Sequence, residues 1–520
     1  MRTHPTRRAV LGAAIAAAGT GVLSACSGPK DTGHDSMNHG GAARATPDGY
    51  VSPDGPEVVE REAKRGSGPV RTVKLTATAT PLELGAGRTV TSWAYGDRLP
   101  GQEVRVTAGD TLALTLANNL PQSTSMHWHG LALRNDMDGV PGVTQPAVKA
   151  GASFDYRFTV ADPGTHYFHP HMGVQQDRGL YAPLIVEDPK EPLAYDKEWV
   201  VVLDDWVDGV DGSTPDDVLA ELRHGMAGHP GMDMPSPTGS PQGPSRTTTG
   251  ATSPLLGGDA GDVAYPYYLV NGRTADDPTV FVAKPGDRIR LRIINAGGDT
   301  AFRIALGGHT LTVTHTDGFR VVEAKSDALL LGMGERYDAL VTAGDGVFPL
   351  TALAEGKSAA TMAVLRTGSG ELPAASVRPK ELDGQLVTAD RLRAHESVAL
   401  PARDPDRTVH LRLTGNMSQY NWAFDRTPYT PDQRHPVRAG ERVRLVFANN
   451  TSMWHPVHLH GHTFAMANIA GGPRKDTAIL LPGGTLMADF DADNPGLWMI
   501  HCHNVYHSES GMMTILGYQK

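Results

Sequence analysis

The sequence contains very little cysteine, with only Cys26 and Cys502 among 520 residues. Two cysteines cannot form a disulfide framework of the kind that stabilises small secreted domains. If Cys26 carries a lipid and Cys502 binds a metal ion, two possibilities taken up below, the protein forms no disulfide. Its stability must then come from the burial of apolar side chains and from bound metal.

The chain also lacks an excess of positive charge and long apolar runs. Its formal net charge is −10, which argues against a nucleic-acid partner. No stretch of eighteen or more apolar residues lies in the body of the chain, so nothing there is expected to span a bilayer. Charged residues are only 20%, whereas 59 glycines and 38 prolines indicate an all-β protein with many turns. The length suits about three domains.

The N-terminus has the features of a targeting segment. Residues 6–11, with adjacent Arg7 and Arg8, resemble a twin-arginine export signal, and a short apolar run follows. Residues 23–26 resemble a bacterial lipobox, whose cysteine is lipidated after cleavage. We therefore expect residues 1–25 to be removed and Cys26 to anchor the exported protein to the outer face of the cell membrane. A plain signal peptide with an incidental cysteine is the alternative.

The segment that follows is predicted to be a disordered tether. Residues 26–66 are rich in Gly, Ala, Pro, Ser and charged residues and show no apolar periodicity. They would connect the lipid anchor to the folded body.

Four His-x-His pairs are the most informative feature of the body. In an extended strand, residues i and i+2 point to the same face, so each pair can grip one metal centre from one side. Neutral imidazole is the commonest metal ligand at physiological pH. Eight histidines are too many for one mononuclear site, so a metal cluster is implied. The pairs are His127/His129, His169/His171, His458/His460 and His501/His503.

Cys502 lies between the two histidines of the fourth pair and therefore points to the opposite face of the strand. A second metal site is expected there, with His455, His507 and Met512 as further ligands. Two histidines, a thiolate and a weak axial methionine are the ligand set of a blue-copper electron-transfer centre. A one-electron site next to a cluster predicts that single electrons are collected at one and delivered together at the other.

These motifs resemble the four copper motifs of three-domain multicopper oxidases, a family of laccases, bacterial copper-tolerance oxidases and ferroxidases. The resemblance covers about residues 68–520. It implies three cupredoxin-like Greek-key β-sandwich domains and four copper ions. It also implies ligand roles: His127 and His458 for type 2 copper; His129, His169 and His503 for one type 3 copper and His171, His460 and His501 for the other; His455, Cys502, His507 and axial Met512 for type 1 copper.

Reduction of O2 to water also needs protons. Asp138 lies nine residues after His129, where related bacterial oxidases have a carboxylate beside the cluster, although an ordinary turn aspartate is the alternative. A second family carboxylate usually follows the position of His507 directly. Here that residue is Ser508, and Glu509 comes one later, which leaves the second proton route open. Cys502, Asp138 and Glu509 are therefore the candidate catalytic residues.

Three repeats of a Gly-acid turn followed by an alternating strand set the domain count. Their glycines are Gly109, Gly286 and Gly440. We predict domains at residues 67–190, 191–380 and 381–520. Only the first and third repeats are followed by His-x-His pairs. The middle domain should therefore lack copper, and the cluster should lie between the first and third.

Residues 207–258 interrupt the strand pattern and are rich in Gly, Pro, Ser and Thr. Such a segment is either functional or disordered. Thioether sulfur is a soft ligand suited to Cu(I), so the segment is a candidate for handling substrate copper. The alternative is a flexible insertion whose composition arose by chance. Met453 matches a family position that helps to bind substrate Cu(I), and the alternative for this residue is a purely packing role. The candidate substrate ligands are His224, Met226, His229, Met232, Met234 and Met453.

We therefore predict an enzyme that oxidises a reducing substrate by one-electron steps and reduces O2 to water. Cu(I) is the favoured substrate, with phenols or Fe(II) as further donors and copper tolerance as the role. A general laccase acting on aromatics and a non-catalytic copper-sequestering lipoprotein are the alternatives. The sequence does not determine the oligomeric state.

Overall fold

A computed structural model of the protein describes residues 49–224, 243–248 and 250–520. Strands dominate these residues, which confirms the predicted all-β class. The helices described are α1 (Pro56–Arg65), α2 (Pro215–His224) and α3 (Val505–Glu509), with short 3-10 helices at Asn135–Met137, Gln175–Arg178, Pro254–Leu256, Lys380–Asp383 and Ala389–Arg391. Within the described ranges, none of the helices has the length and apolar character that crossing a membrane requires.

The first sheet pair is formed by the strands between residues 70 and 187. One sheet has the order β2-β1-β4-β6 and the other β3-β8-β7-β5. The strands are β1 (Val70–Glu83), β2 (Thr89–Tyr95), β3 (Val104–Thr107), β4 (Thr111–Asn119), β5 (His127–His129), β6 (Ser153–Thr159), β7 (Gly164–His169) and β8 (Ala182–Glu187).

The middle sheet pair follows, between residues 197 and 387. Its sheets have the orders β12-β9-β14-β19-β16-β17 and β13-β21-β20-β15-β18-β22, and β10 and β11 pair separately. The strands are β9 (Lys197–Trp206), β10 (Thr252–Ser253), β11 (Gly258–Asp259), β12 (Tyr267–Val270), β13 (Val280–Val282), β14 (Arg288–Asn295), β15 (Phe302–Leu306), β16 (Leu311–Thr316), β17 (Phe319–Ser326), β18 (Ala328–Leu331), β19 (Arg336–Thr342), β20 (Val347–Ala354), β21 (Ala359–Arg366) and β22 (Leu386–Val387).

The third sheet pair occupies residues 407–518. Its sheets have the orders β24-β23-β26-β31-β28-β29 and β25-β33-β32-β27-β30. The strands are β23 (Arg407–Thr414), β24 (Ala423–Phe424), β25 (His435–Val437), β26 (Arg442–Asn449), β27 (His455–Leu459), β28 (Phe464–Met466), β29 (Arg474–Lys475), β30 (Thr477–Leu480), β31 (Thr485–Asp491), β32 (Leu497–Cys502) and β33 (Met513–Tyr518).

The three predicted repeats occupy equivalent places in the three sheet pairs. Each repeat glycine has a positive φ, between 86° and 95°, and each lies in the turn just before a long strand: β4, β14 or β26. Each of these strands pairs in parallel with the first long strand of its sheet, β1, β9 or β23. The domain boundaries themselves stay a prediction, although β22 pairs with β18 and so carries the middle sheet beyond residue 380.

The tether prediction is wrong for the described residues 50–65. Tyr50 forms a β-bridge with Gln519, and Val58 of α1 is buried. The Glu62 carboxylate accepts a hydrogen bond from the backbone N–H of Thr159, 2.6 Å away. Composition did not reveal this helix, because Val58 is its one buried apolar residue and the rest of its sequence is mostly polar. Residues 26–48 lie outside the described part of the chain.

Part of the segment at residues 207–258 is regular, which its composition did not reveal. Residues 215–224 form α2, in which Val218, Leu219 and Leu222 are buried at helical spacing. Three apolar residues were too few to predict a helix within a segment so rich in Gly and Pro. Residues 225–242, which include Met226, His229, Met232 and Met234, lie outside the described residues.

Candidate metal centres

The structure brings the eight histidines of the four pairs together. His127 lies opposite His169 across β5 and β7, and His458 lies opposite His501 across β27 and β32. The first and third sheet pairs therefore each contribute two of the four His-x-His pairs. All eight side chains are buried, the most exposed being His171 at 7%.

Apolar residues between the histidines anchor these strands. Trp128 points away from His127 and His129 and packs on Tyr156 and Phe158, with ring centroids 5.5 and 5.0 Å away. Leu459 is likewise buried between His458 and His460. The period of two of an extended strand thus places one side chain in the core and its neighbours at the candidate centre.

The ring nitrogens converge in a way that suits metal ions. Nε2 of His501 lies 3.1 Å from Nε2 of His460 and 3.4 Å from Nε2 of His171. Nε2 of His503 lies 3.2 Å from Nδ1 of His129. Buried polar atoms normally have partners. Among the described residues, however, none accepts from or donates to the buried Nε2 atoms of His127, His169 and His458. Bound metal ions would satisfy all three.

The opposite ring nitrogens hold the imidazoles in place. Nδ1 donates to the carbonyl of Asp138 from His127 and to that of Asp476 from His458, both at 2.9 Å. His501 donates in the same way to the carbonyl of Cys502 at 2.7 Å. A ring that donates from one nitrogen presents a lone pair at the other, so these bonds fix a ligating tautomer.

Burial also keeps these imidazoles neutral. It lowers the pKa of His169, His460, His501 and His503 well below the usual range, and neighbouring imidazoles lower it further. Neutral imidazole is the form that ligates metals.

A second group of donors lies on the other face of β32. Sγ of Cys502 is 3.6 Å from Nδ1 of His455 and 3.7 Å from Nδ1 of His507, and the two nitrogens are 3.0 Å apart. All three side chains are fully buried. Three soft or borderline donors at the corners of one triangle fit a copper ion.

Neighbouring groups support this triangle. Backbone hydrogen bonds of 3.1 Å join Met512 to both Cys502 and His507. Trp422 packs against His507 with ring centroids 4.5 Å apart. Nε2 of His507 donates to Oδ2 of Asp262 at 2.9 Å. Burial alone would lower the pKa of His507, but its hydrogen bonds to Asp262 and Cys502 raise it to about 10. A copper ion bound at Nδ1 would take the place of the proton between His507 and the Cys502 sulfur.

Both candidate acids lie beside the eight-histidine cluster. Oδ2 of the buried Asp138 accepts from Nδ1 of His460 at 2.9 Å. Glu509 and Ser508 line a narrow cavity of about 20 Å³ that His169, His171, His501 and His503 also line. Although Ser508 stands where the family usually has a carboxylate, Glu509 therefore still places a carboxylate on this side of the cluster.

Two candidate substrate ligands fall within the described residues. Met453 is 1% exposed and belongs to the apolar core near His455. His224 is exposed at the end of α2, where its Nδ1 donates to the carbonyl of Ala220. Their role toward substrate copper stays a prediction.

Sequence reasoning missed two residues that contact the candidate ligands and a third that holds one of them. Asp476 hydrogen-bonds to Nε2 of His129, Arg336 donates to Asp476, and Asp262 accepts from His507. No short motif contains them, because each reaches its partner from a distant part of the chain. The dipeptide Asp476-Thr477 at the start of β30 does not by itself indicate a role at a metal site.

Family models described as multicopper oxidase match residues 76–191, 198–370 and 402–519. The chain is 46% identical over 518 residues to multicopper oxidase MmcO of Mycobacterium tuberculosis (strain ATCC 25618 / H37Rv), covering 99% of this chain and 96% of that one. It is 28% identical to copper resistance protein A of Escherichia coli, covering 80% and 87%.

A solved structure, the multi-copper oxidase from Pseudomonas thermotolerans, is similar with a TM-score of 0.66 and 26% identity, covering 86% of this chain and 99% of that one. The family models together span most of the chain, and their copper chemistry agrees with the convergent histidines described above. The chain therefore belongs to the multicopper oxidase family and is an oxidoreductase with type 1, type 2 and type 3 copper centres.

Proposed function

We propose that this enzyme oxidises Cu(I) at the Cys502 triangle and reduces O2 to water at the eight-histidine cluster. One observation carries the proposal. Cys502 lies on β32 directly between His501 and His503, with its Sγ facing His455 and His507. Cys502 of one site is thus covalently joined to a histidine of the other site on each side.

We assign the ligands as the family motifs imply. His127 and His458 hold type 2 copper, and His455, Cys502, His507 and axial Met512 hold type 1 copper. The remaining six cluster histidines hold the type 3 pair: His129, His169 and His503 on one ion and His171, His460 and His501 on the other. When bound, the four coppers supply one-electron oxidation of the donor and four-electron reduction of O2 to water.

Backbone groups orient the ligands, and burial removes them from solvent. Backbone carbonyls fix the tautomers of His127, His458 and His501, so their Nε2 lone pairs stay directed at the centre. Burial of every ring lowers the local dielectric, which strengthens each electrostatic interaction inside the site.

We assign proton supply to Asp138 and Glu509. Asp138 contacts His460 from within the protein, whereas Glu509 lies along the narrow cavity beside His501 and His503. A carboxylic acid within reach of the reacting oxygen can donate a proton as the oxygen is reduced. The two acids would serve the cluster from different sides.

Cu(I) as substrate is supported by the similarity to copper resistance protein A and by the His/Met segment. The described residues on both sides of that segment lie near the Cys502 triangle. Arg223 donates to the backbone carbonyl of Glu509 in α3, and the N–H of Thr248 donates to the carbonyl of Asp262 at 2.8 Å. We propose that His224, Met226, His229, Met232 and Met234 collect substrate Cu(I).

We also propose that the protein is exported and anchored by lipid at Cys26, on the basis of its sequence motifs alone. Anchoring on the outer face of the membrane would place a cuprous oxidase where copper enters the cell. Cys26→Ala should abolish lipidation, and a mature wild-type protein without lipid mass would refute the anchor.

The test of substrate is O2 consumption with Cu(I), Fe(II) and a phenol compared at equal copper loading. We expect the highest kcat/KM with Cu(I). A phenol preferred over Cu(I) would make the enzyme a general laccase, and no O2 consumption with any donor would indicate sequestration of copper.

A further inference from the structure

His129 faces the cluster with a different nitrogen from its seven companions. Nε2 of His503 lies 3.2 Å from Nδ1 of His129, whereas His171, His460 and His501 approach one another through Nε2. On His129, Nε2 therefore points away from the cluster and toward the surrounding protein. Something behind this ring must therefore accept a hydrogen bond from Nε2.

The groups behind His129 are Asp476 and Thr477. Nε2 of His129 lies 3.1 Å from Oδ1 of Asp476 and 3.1 Å from Oγ1 of Thr477. An ionised carboxylate only accepts hydrogen bonds, so the proton of the neutral imidazole must be on Nε2. This leaves the Nδ1 lone pair directed at the cluster.

Asp476 is itself held in one orientation. Arg336 donates to Oδ1 and Oδ2 of Asp476 through its two terminal nitrogens, each at 2.6 Å, and neither side chain is exposed. Arg336 also donates through Nε to the carbonyl of Thr165 at 3.0 Å. Asp317 accepts from the backbone N–H groups of Asp476 and Thr477. A bidentate pair in a fully buried site leaves the carboxylate no second position.

The middle sheet pair thus takes part in building a copper cluster to which it gives no ligand. Arg336 belongs to β19, Asp476 follows β29, and His129 ends β5, so one chain of contacts crosses all three sheet pairs. Gly130 has a φ of +86°, and a Cβ there would lie 2.3 Å from the Arg336 guanidinium. Gly334 is also closely packed, because a Cβ there would lie 2.9 Å from the His503 ring and 3.0 Å from the His129 ring.

We propose that Arg336 and Asp476 are positioning residues of the eight-histidine cluster, which hold His129 with Nδ1 toward the metal. The proposal rests on the ligand assignment under Proposed function. Residues that orient a metal-bound imidazole typically change metal affinity about 10–100-fold when they are replaced. The loss should fall on the cluster and spare the Cys502 triangle.

The test uses two variants of the full-length enzyme. Asp476→Asn keeps an oxygen acceptor but removes the charge. The double variant Arg336→Met/Asp476→Leu removes the pair together and leaves no unpaired buried charge. The matched control is Asp338→Asn, since Asp338 is an equally buried carboxylate that binds Arg290 and Thr165 but contacts no cluster histidine.

Copper per protein is measured during titration with a chelator, together with the blue absorbance and the type 2 electron paramagnetic resonance signal. We expect cluster copper affinity to fall about 10–100-fold in the double variant and less in Asp476→Asn, with the blue absorbance per protein unchanged. Asp338→Asn should keep all four coppers.

Cluster affinity and type 2 signal equal to those of Asp338→Asn in both Asp476 variants would overturn the proposal. Parallel loss of blue and cluster copper would also overturn it, because that result indicates general destabilisation. A wild-type protein that never binds four coppers would instead refute the proposed function, so the two failures are distinguishable.

Discussion

His129 and His458 stack face to face, with ring centroids 3.9 Å apart and 13° between the ring planes. One belongs to β5 and the other to β27, which lie in the first and third sheet pairs. The contact exists only when distant parts of the chain have folded together. The candidate cluster is therefore a product of the whole body rather than of one sheet pair.

Cys502→Ser should separate the two sites. Serine cannot supply the thiolate whose bond to copper gives the blue colour, whereas His501 and His503 on either side keep their positions on β32. We expect loss of the blue absorbance and of donor oxidation, with most cluster copper retained. Copper analysis and absorption spectra of the purified variant check this. A wild type that is fully loaded with copper yet colourless would contradict the type 1 assignment.

Asp138→Asn should slow O2 reduction while leaving donor oxidation at the Cys502 triangle intact. The amide can still accept a hydrogen bond from His460 but cannot donate a proton as an acid does. We expect a loss of about 100-fold in turnover, the effect of a positioned general acid. Rapid mixing would measure reduction of the blue site separately from its reoxidation by O2.

The matched control for this change is Asp136→Asn. Asp136 lies in the same 3-10 turn and pairs with Arg134, away from the cluster histidines. Unchanged turnover in Asp138→Asn, or an equal effect of both substitutions, would reduce Asp138 to a turn residue.

The histidine pairs could be located from the sequence because their spacing matches the period of a strand and their chemistry is specific. The three repeat strands were predictable for the same reason, since alternation is local. Asp476 could not be found in this way: it meets His129 across 347 residues and Arg336 across 140. Helix α1 was missed because its sequence is mostly polar and its one buried residue, Val58, packs against parts of the chain that a local pattern does not show.

Asp338→Asn should destabilise the folded protein and change how stability depends on pH. Burial alone would raise the pKa of Asp338, but Arg290 and Arg292 lower it far below its ordinary value. Its contribution is therefore present above the unfolded-state pKa near 4 and is lost as the pH falls toward the folded-state pKa. We expect a loss of about 3–5 kcal/mol at neutral pH, because two buried guanidinium groups lose their shared partner and keep only Glu191 and Glu198 as carboxylate partners.

Denaturant unfolding at several pH values measures this effect. The difference between wild type and variant should shrink as the pH falls below about 4. A difference that stays constant from neutral to acidic pH would show that the charge of Asp338 is not its cause.

Replacement of His224, Met226, His229, Met232 and Met234 by serine should mainly raise KM for Cu(I). Thioether and imidazole groups suit Cu(I), whereas serine binds it weakly. Oxidation of a bulky phenol, measured on the same preparation, should stay the same or improve. Equal effects on both donors would mean that the segment has only a structural role, and the case for Cu(I) would then rest on similarity to copper resistance proteins.

The most direct test of the account is the number of donor electrons consumed per O2, measured with simultaneous assay of hydrogen peroxide. Oxygen uptake and oxidation of a one-electron donor would be followed together in the fully copper-loaded enzyme. Because Cys502 connects the donor site to a cluster of eight histidines, we predict four donor electrons per O2 and no free peroxide. Two electrons per O2 with stoichiometric peroxide would contradict the delivery of all four electrons at one cluster.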